Sequence, residues 1–335
     1  MNKNDYEIQE KDFPKKFDKW LYFKQRGYIN VFLKVIYYRF LKRVVKKKIV
    51  KFKTPYNTHY NGFRWDLSAP AAFVSNYLPE WGNEYFFIHT LKNREKGTLL
   101  DAGCHTGYFS CLLNNHFKKI IGFEPSIKCV EALELLKKEY NNFIYYNCFL
   151  GDLNKTVMSK QYEDGYAFVQ ENMTEVTSLK LQLTKDHEKY ETSQEKIEIK
   201  TIDDIISKNH NSEKVSGIKI DVDGLDLDVL KGGMKIIKRD RPSIYIEQNG
   251  QELFLLREFL SLMKEINYKV FAFVSNINKP YNICLKEITS DDNKYWYSNN
   301  VCVPAEHVPK NLYTKEIKGN FLFGLNKKVI LEKFS

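Results

Sequence analysis

Apolar side chains recur at three- and four-residue steps between Lys16 and Lys53: Phe17, Trp20 and Leu21, then Val31, Phe32, Val35, Ile36, Phe40, Leu41, Val44 and Val45. That spacing returns to one side of a helix, so it predicts a helical segment with an apolar stripe and a polar back. The turn-rich piece Thr54 to Pro70 ends this appendage, and the boundary falls near residue 60, with an appendage over 1–60 and a main domain over 61–335. Aromatic-rich Phe73 to Leu91, interrupted by Pro79 and Gly82, leads into the main domain.

The rhythm then changes to short β-rich runs alternating with helical stretches, which predicts an α/β, doubly wound, mostly parallel sheet covered on both faces. Strands are expected at Thr98–Ala102, Ile120–Phe123, Phe143–Asn147, Gly217–Asp221, Ser243–Glu247 and Tyr268–Val274. Helices are expected at Tyr108–His116, Ser126–Tyr140, Thr201–Asn209, Asp226–Lys238 and Glu252–Ile266, while polar Glu171–Glu195 reads as loop or lid.

A chain of 335 residues with a formal charge of +10 raises nucleic acid as a partner, so the position of the charge matters. Nine bases and no acid lie between Val31 and Lys53, which accounts for nearly all the excess. The six cysteines show no C-x-x-C pair and no zinc-finger spacing, and read as reduced core thiols. Met1 to Lys19 is studded with charge and lacks the apolar run of a leader, so a cytoplasmic enzyme is expected.

Candidate chemistry begins at Leu99-Leu100-Asp101-Ala102-Gly103-Cys104-His105-Thr106-Gly107-Tyr108, a buried strand entering a glycine-punctuated turn and then a helix. Such a turn lets a ligand approach the backbone. Glu124, in Phe123-Glu124-Pro125-Ser126, ends the second strand, where an acid can accept both hydroxyls of a ribose. The loop is D-x-G-x-x-x-G without the G-x-G-x-x-G cradle for a pyrophosphate, so a nucleoside without phosphates fits better than a nicotinamide dinucleotide. S-adenosylmethionine is such a molecule: Glu124 would hold its ribose and the loop from Gly103 to Gly107 its amino-acid end. His105, Tyr108, Pro125 and Ser126 adjoin the same site. An incidental acid beside an ordinary strand-to-helix turn is the alternative.

A second strand, acidic turn and helix follow in Ile218-Lys219-Ile220-Asp221-Val222-Asp223-Gly224-Leu225-Asp226-Leu227-Asp228. Asp221 and Asp223 fall at a strand's carboxyl end, where open α/β sheets bind ligands. Asp226 and Asp228 are expected in the first helical turn, facing water. Ser243 to Gly250 brings Glu247 and Asn249 to the same edge.

Taken in order, D-A-G-C-H-T-G-Y-F-S, F-E-P-S, T-I-D-D-I, I-K-I-D-V-D-G-L-D-L-D-V-L-K-G and R-P-S-I-Y-I-E resemble the FkbM-type methyltransferases over about Phe63 to Val303. The resemblance implies a Rossmann-like seven-stranded sheet, S-adenosylmethionine as donor and O-methylation, often of sugars or polyketide-type products. It places Asp101, Gly103, Gly107 and Glu124 on donor-binding positions, and Asp221 with Asp223 on the turn facing the acceptor. His105 stands where the family commonly has Asn, and Asp223 and Asp226 where it commonly has Glu.

Methyl transfer to oxygen needs a group that takes the acceptor's proton. Asp221 is the first candidate, His105 the second, with Glu247 and Asn249 holding neighbouring hydroxyls. His105 hydrogen-bonded within its loop is the plainer alternative. Asp221, Asp223 and Glu247 together would also suit Mg²⁺ or Mn²⁺, though the pattern does not require a metal. The expected acceptor is a sugar or nucleotide sugar, in a bacterial capsule or lipooligosaccharide setting. N-methylation of an amino sugar stays open, as do a nucleic-acid methyltransferase using the basic arm and a non-catalytic Rossmann-like binding module. No N-P-P-Y-like or D-P-P-Y-like motif supports nucleic acid. For the basic segment 31–53, three readings stand: a solvated back on a helix packed against the main domain, contact with anionic lipid, or recognition of an acceptor diphosphate.

Overall fold

The computed structural model describes residues 28–46, 48–54, 56–66, 73, 83–92, 94–163, 165–169, 191–222, 224–247, 253–276, 279–289, 295–296 and 299–309. Phe17, Trp20, Leu21, Asp223, Asn249 and the polar stretch 170–190 lie outside them.

The amino-terminal part is not one long helix. Helix α1 (Tyr28–Arg43) is followed by an antiparallel hairpin of β1 (Ile49–Lys53) and β2 (His59–Phe63). The run Ile49-Val50-Lys51-Phe52-Lys53 carries two β-branched residues and alternates Val50 inward with Lys51 outward, a strand's period that the preceding helical spacing obscures. A reciprocal pair of hydrogen bonds with Tyr140 helps dock the hairpin on the main domain. The His59 N–H donates to the Tyr140 oxygen, and the Tyr140 hydroxyl donates back to the His59 carbonyl. Lys48 and Lys51 add surface ion pairs to Glu131 and Glu139, each 2.7 Å.

Helix α2 (Asn83–Leu91) precedes the central units β3 (Thr98–Ala102), α3 (Tyr108–Leu113), β4 (Lys119–Phe123), α4 (Val130–Glu139) and β5 (Phe143–Tyr146). A separate four-stranded sheet comes next, from β6 (Phe149–Leu150), β7 (Lys155–Tyr162), β8 (Ala167–Val169) and β9 (Glu191–Lys200), in the order β6-β9-β7-β8. The chain then returns through α5 (Ile202–Asn209), β10 (Val215–Ile220), α6 (Asp226–Gly232), α7 (Met234–Asp240), β11 (Ser243–Glu247) and α8 (Leu253–Glu265). It finishes with β12 (Tyr268–Asn276), β13 (Lys279–Glu287), β14 (Tyr295–Trp296) and β15 (Asn299–Pro304).

The main sheet has the order β13-β12-β15-β11-β10-β3-β4-β5, with β14 beside β12. From β11 to β5 every neighbour is parallel, whereas β15 inserts antiparallel between β11 and β12. The architecture is thus Rossmann-like α/β, as expected. It is wider than the seven strands expected because β13 folds straight back on β12, while β14 pairs with β12 on the side away from β13.

Helices cover both faces. On one side α5, α6, α7 and α8 bury Ile202, Ile205, Val229, Leu230, Ile237 and Phe259 against β10 and β11. On the other, α2, α3 and α4 bury Phe86, Phe87, Leu112, Leu113 and Leu133, joined by Tyr60 of β2. The expected helix Asp226–Lys238 divides at Gly233, whose φ of −107° and ψ of 7° leave the helical region. Thr201 caps α5 by accepting a hydrogen bond from the Asp204 N–H, a side-chain cap that fixes the helix start. Cys104, Cys111, Cys129, Cys148 and Cys302 are free and buried.

Candidate active site at the carboxyl ends of the central strands

The carboxyl ends of β3, β4 and β10 open into a cavity of about 450 Å³. Its far wall comes from Phe149 and Leu150 of β6 and from Gly165, Tyr166 and Ala167 at β8. The small sheet therefore closes a cavity that the main sheet alone would leave open.

The loop after β3 is held by backbone geometry. Gly103 has φ +71° and Gly107 φ +80°, the left-handed region that glycine enters without strain. Gly103 is also a point of contact, since a Cβ there would lie 1.9 Å from the Asp221 carbonyl oxygen. The N–H groups of Gly103 and Cys104 both donate to the Phe123 carbonyl, and the Gly107 N–H closes a turn onto the Cys104 carbonyl.

Glu124 completes the loop. Its Oε2 accepts from the His105 N–H at 2.8 Å and its Oε1 from the Ser126 N–H at 2.9 Å. Burial pushes its carboxyl pKa up, opposed by His105 and by the two backbone N–H groups. Asn147 steadies the same strand end by donating to the Glu124 carbonyl.

Beneath the loop lies a buried ionic cluster that the sequence reading missed. Lys219, on the central strand β10, donates to the Gly103 carbonyl at 2.7 Å and pairs with Asp101 at 3.5 Å and Asp221 at 3.3 Å. Asp101 also accepts a 2.5 Å hydrogen bond from Ser110. Burial alone would lower the Lys219 pKa, but Asp221 and Asp101 outweigh it and hold the ammonium well above the ordinary lysine value. A second missed group is the buried trio Tyr60, Asp66 and Thr106. Tyr60 donates to Asp66 at 2.6 Å, Thr106 donates to the same oxygen at 3.0 Å, and the two hydroxyls touch. Burial, then the Asp66 charge, push the Tyr60 phenol far up. The trio ties the hairpin to the loop after β3.

Of the residues singled out in the sequence, Gly103, His105, Tyr108, Glu124, Pro125, Asp221 and Glu247 line the cavity. Asp101, Gly107 and Ser126 sit behind it as supports: Asp101 under Lys219, Gly107 against Leu136, and Ser126 giving its N–H to Glu124. The His105 ring lies between Trp65 and Tyr166, at centroid distances of 5.7 and 5.8 Å. Asp226 does not face water as expected. It is buried at the head of α6, and its two oxygens accept from the Val222 and Gly224 N–H groups, which fixes the acidic turn. Tyr166, Lys219, Tyr245 and Asn299 also line the cavity. Lys219 carried a readable signal, since a lone charge inside a run buried on both faces needs partners. Among the described residues no three His, Cys, Asp or Glu side chains gather as a metal site.

A carboxylate oxygen accepts two hydrogen bonds, so after His105 and Ser126 each Glu124 oxygen retains acceptor capacity for a hydroxyl donor. The side-chain-free Gly103 leaves the backbone bare beside it.

A family model described as the Methyltransferase FkbM domain matches residues 101–270. No curated protein matches the sequence. Among solved structures, methyltransferase FkbM from Methylobacillus flagellatus KT is similar at 16% identity and a TM-score of 0.37, over 70% of this chain and 53% of that one. The present chain thus spans about half the length of that protein. SMU.1697c from Streptococcus mutans, in complex with SAH, aligns at 10% identity and a TM-score of 0.33, over 68% of this chain and 98% of that one. Spermidine synthase from Thermotoga maritima aligns at 10% identity and a TM-score of 0.36, over 86% and 84% of the two chains.

Proposed function

The chain belongs to the FkbM methyltransferase family, and we propose that it methylates a sugar hydroxyl, in a nucleotide-linked or glycan acceptor, with S-adenosylmethionine as donor. The observation that carries the reading is Glu124, anchored by two backbone N–H groups on the wall of a cavity that Asp221 also lines. Bound there, S-adenosylmethionine supplies an electrophilic methyl on a sulfonium.

The protein's own residues then have three tasks. Glu124 accepts the ribose hydroxyls, and the loop from Gly103 to Gly107 cups the amino-acid end. Asp221, anchored on one side by Lys219, faces the acceptor and takes the hydroxyl proton as the C–O bond forms and the methyl–sulfur bond breaks, sulfur leaving as a neutral thioether. Glu247 and Asn299, paired across β11 and β15, hold neighbouring hydroxyls and align the nucleophile. His105, packed between Trp65 and Tyr166, shapes the donor side and is the second candidate for the proton. A capsule or lipooligosaccharide sugar is the acceptor class that fits this reading.

Mass spectrometry of a nucleotide-sugar panel incubated with donor tests it. A gain of one methyl on a hydroxyl is expected, and Asp221→Asn should lower turnover about a hundredfold or more with donor binding intact. Undiminished turnover in that variant would remove Asp221 from proton transfer, and methylation of amino sugars alone would move the reaction to nitrogen.

A further inference from the structure

Helix α1 carries more apolar surface than the described residues cover. Tyr38 and Leu41 turn inward and pack with Val50 and Phe73. On the opposite side Phe32, Ile36, Phe40 and Val44 follow at four-residue steps, with Leu33 and Tyr37 in the adjoining row, and their exposures run from 47% to 67%. Side chains four apart stack into one ridge along a helix. A contiguous exposed ridge of two aromatic and two aliphatic residues marks a contact surface, since monomeric proteins rarely leave one bare. Helix α1 thus has two apolar faces, of which the described residues cover one.

The charges around the ridge point to the partner. Arg39 and Arg43 are exposed, four residues apart, and run beside it, with exposed Lys46 just beyond the helix. No acid lies between Val31 and Lys53. Lys48 and Lys51 are engaged by Glu131 and Glu139, but Arg39, Arg43 and Lys46 pair with no acid among the described residues. An apolar ridge rimmed by cations is the pattern of a helix lying in a lipid interface, with hydrocarbon below and phosphate at the edge. Nucleic acid would use the cations but would leave the ridge bare. No helix among the described residues is long and apolar enough to cross a membrane, so α1 would lie on the surface.

We propose that α1 seats the protein on an anionic lipid surface, with Phe32, Ile36, Phe40 and Val44 entering the acyl boundary and Arg39, Arg43 and Lys46 meeting headgroup phosphates. The seat is linked to the cavity through packed rings. Tyr38 meets Phe73 at 5.3 Å, Phe73 meets Phe52 at 5.5 Å, Phe52 meets Tyr60 at 5.5 Å and Tyr60 meets Tyr108 at 5.0 Å. Tyr108 lines the cavity, so a seated α1 sets the height of the cavity above the lipid. The proposal stands independently of the acceptor and of methyl transfer.

Sedimentation of the full chain with vesicles tests it, using phosphatidylcholine alone or mixed equally with phosphatidylglycerol. Binding to the mixed vesicles is expected, weakened by high salt and weakened about fivefold for each of Arg39→Gln and Arg43→Gln. Phe32→Ser with Phe40→Ser should weaken it on the order of tenfold at any salt, with thermal melting and donor binding unchanged because both positions are exposed. Absence of binding to mixed vesicles overturns the proposal, as does binding indifferent to the double serine variant. Light scattering that shows a dimer broken by that variant would assign the ridge to a second copy and equally overturn it.

Discussion

Replacing Lys219 by Met isolates the ionic cluster under the loop. The ammonium is 3.5 Å from Asp101, and the two side chains are 6% and 0% exposed, so water screens them little. At an effective dielectric of about 20 their attraction is about 5 kcal/mol before desolvation is subtracted. The pair to Asp221 adds less, because that side chain is 45% exposed. Methionine fills the space but leaves Asp101 buried with Ser110 as its remaining hydrogen-bond partner, a change that costs about 3–5 kcal/mol. Urea unfolding at neutral pH of wild type, Lys219→Met, Asp101→Asn and the double variant measures this. With Asp101 neutralised, loss of the lysine should cost about 2 kcal/mol less than it does alone. Equal costs in both backgrounds would refute the reasoning and leave Lys219 as a space-filling residue. The pH dependence has a definite sign. Because the folded state holds Lys219 above its ordinary value, its contribution is complete below about pH 10 and is lost only as pH rises further.

Three further outcomes follow from the geometry. Glu124→Gln turns an amide N–H₂ toward one of two backbone N–H donors, so calorimetry should show S-adenosylmethionine binding weakened roughly tenfold to hundredfold; a change under about twofold would take Glu124 out of the donor site. Gly103→Ala forces a Cβ to 1.9 Å from the Asp221 carbonyl at φ +71°, and should cost roughly 2–5 kcal/mol; an unchanged melting temperature would contradict the close approach. The Arg241 hydrogen bond holds the Glu306 carboxyl down at about 2, so its stabilising effect is present above pH about 4.3 and fades as pH falls through about 2. Glu306 is half exposed, so Glu306→Gln should cost under about 1 kcal/mol at neutral pH; a urea midpoint gap that persisted below pH about 2 would argue against the pair.

The central strands and the loop after β3 were legible because their signals are local. Thr98–Ala102 and Ser243–Glu247 are apolar runs bounded by turn residues, and the structure has strands at those bounds. The loop's glycines and the acid at the end of β4 were readable for the same reason. The small sheet was not. Lys155–Tyr162 and Glu191–Lys200 are rich in Lys, Glu, Gln and Ser, and they become strands by pairing with each other across 29 to 44 residues. The cavity wall built by β6 and β8 was lost with them. Asp66 and Tyr60 escaped for a related reason: nothing near them in sequence shows that Thr106, forty residues on, receives them. Asp226 was misplaced because an acid opening a helix reads as solvated, whereas its oxygens here turn back to the preceding loop.

The touching of Gly103 and the Asp221 carbonyl gives the molecule a shared hinge-pin. The stretch that would cradle the nucleoside and the stretch that would greet the incoming alcohol cannot be repositioned one at a time, for any residue larger than glycine or any rise of the acidic turn would jam the other. Under the proposed reading, diversification of the acceptor is thereby steered elsewhere, to a surface free of that pin: the antiparallel flank carrying Asn299. Exchanging that flank between relatives would then be the economical route to a new acceptor with an undisturbed donor pocket.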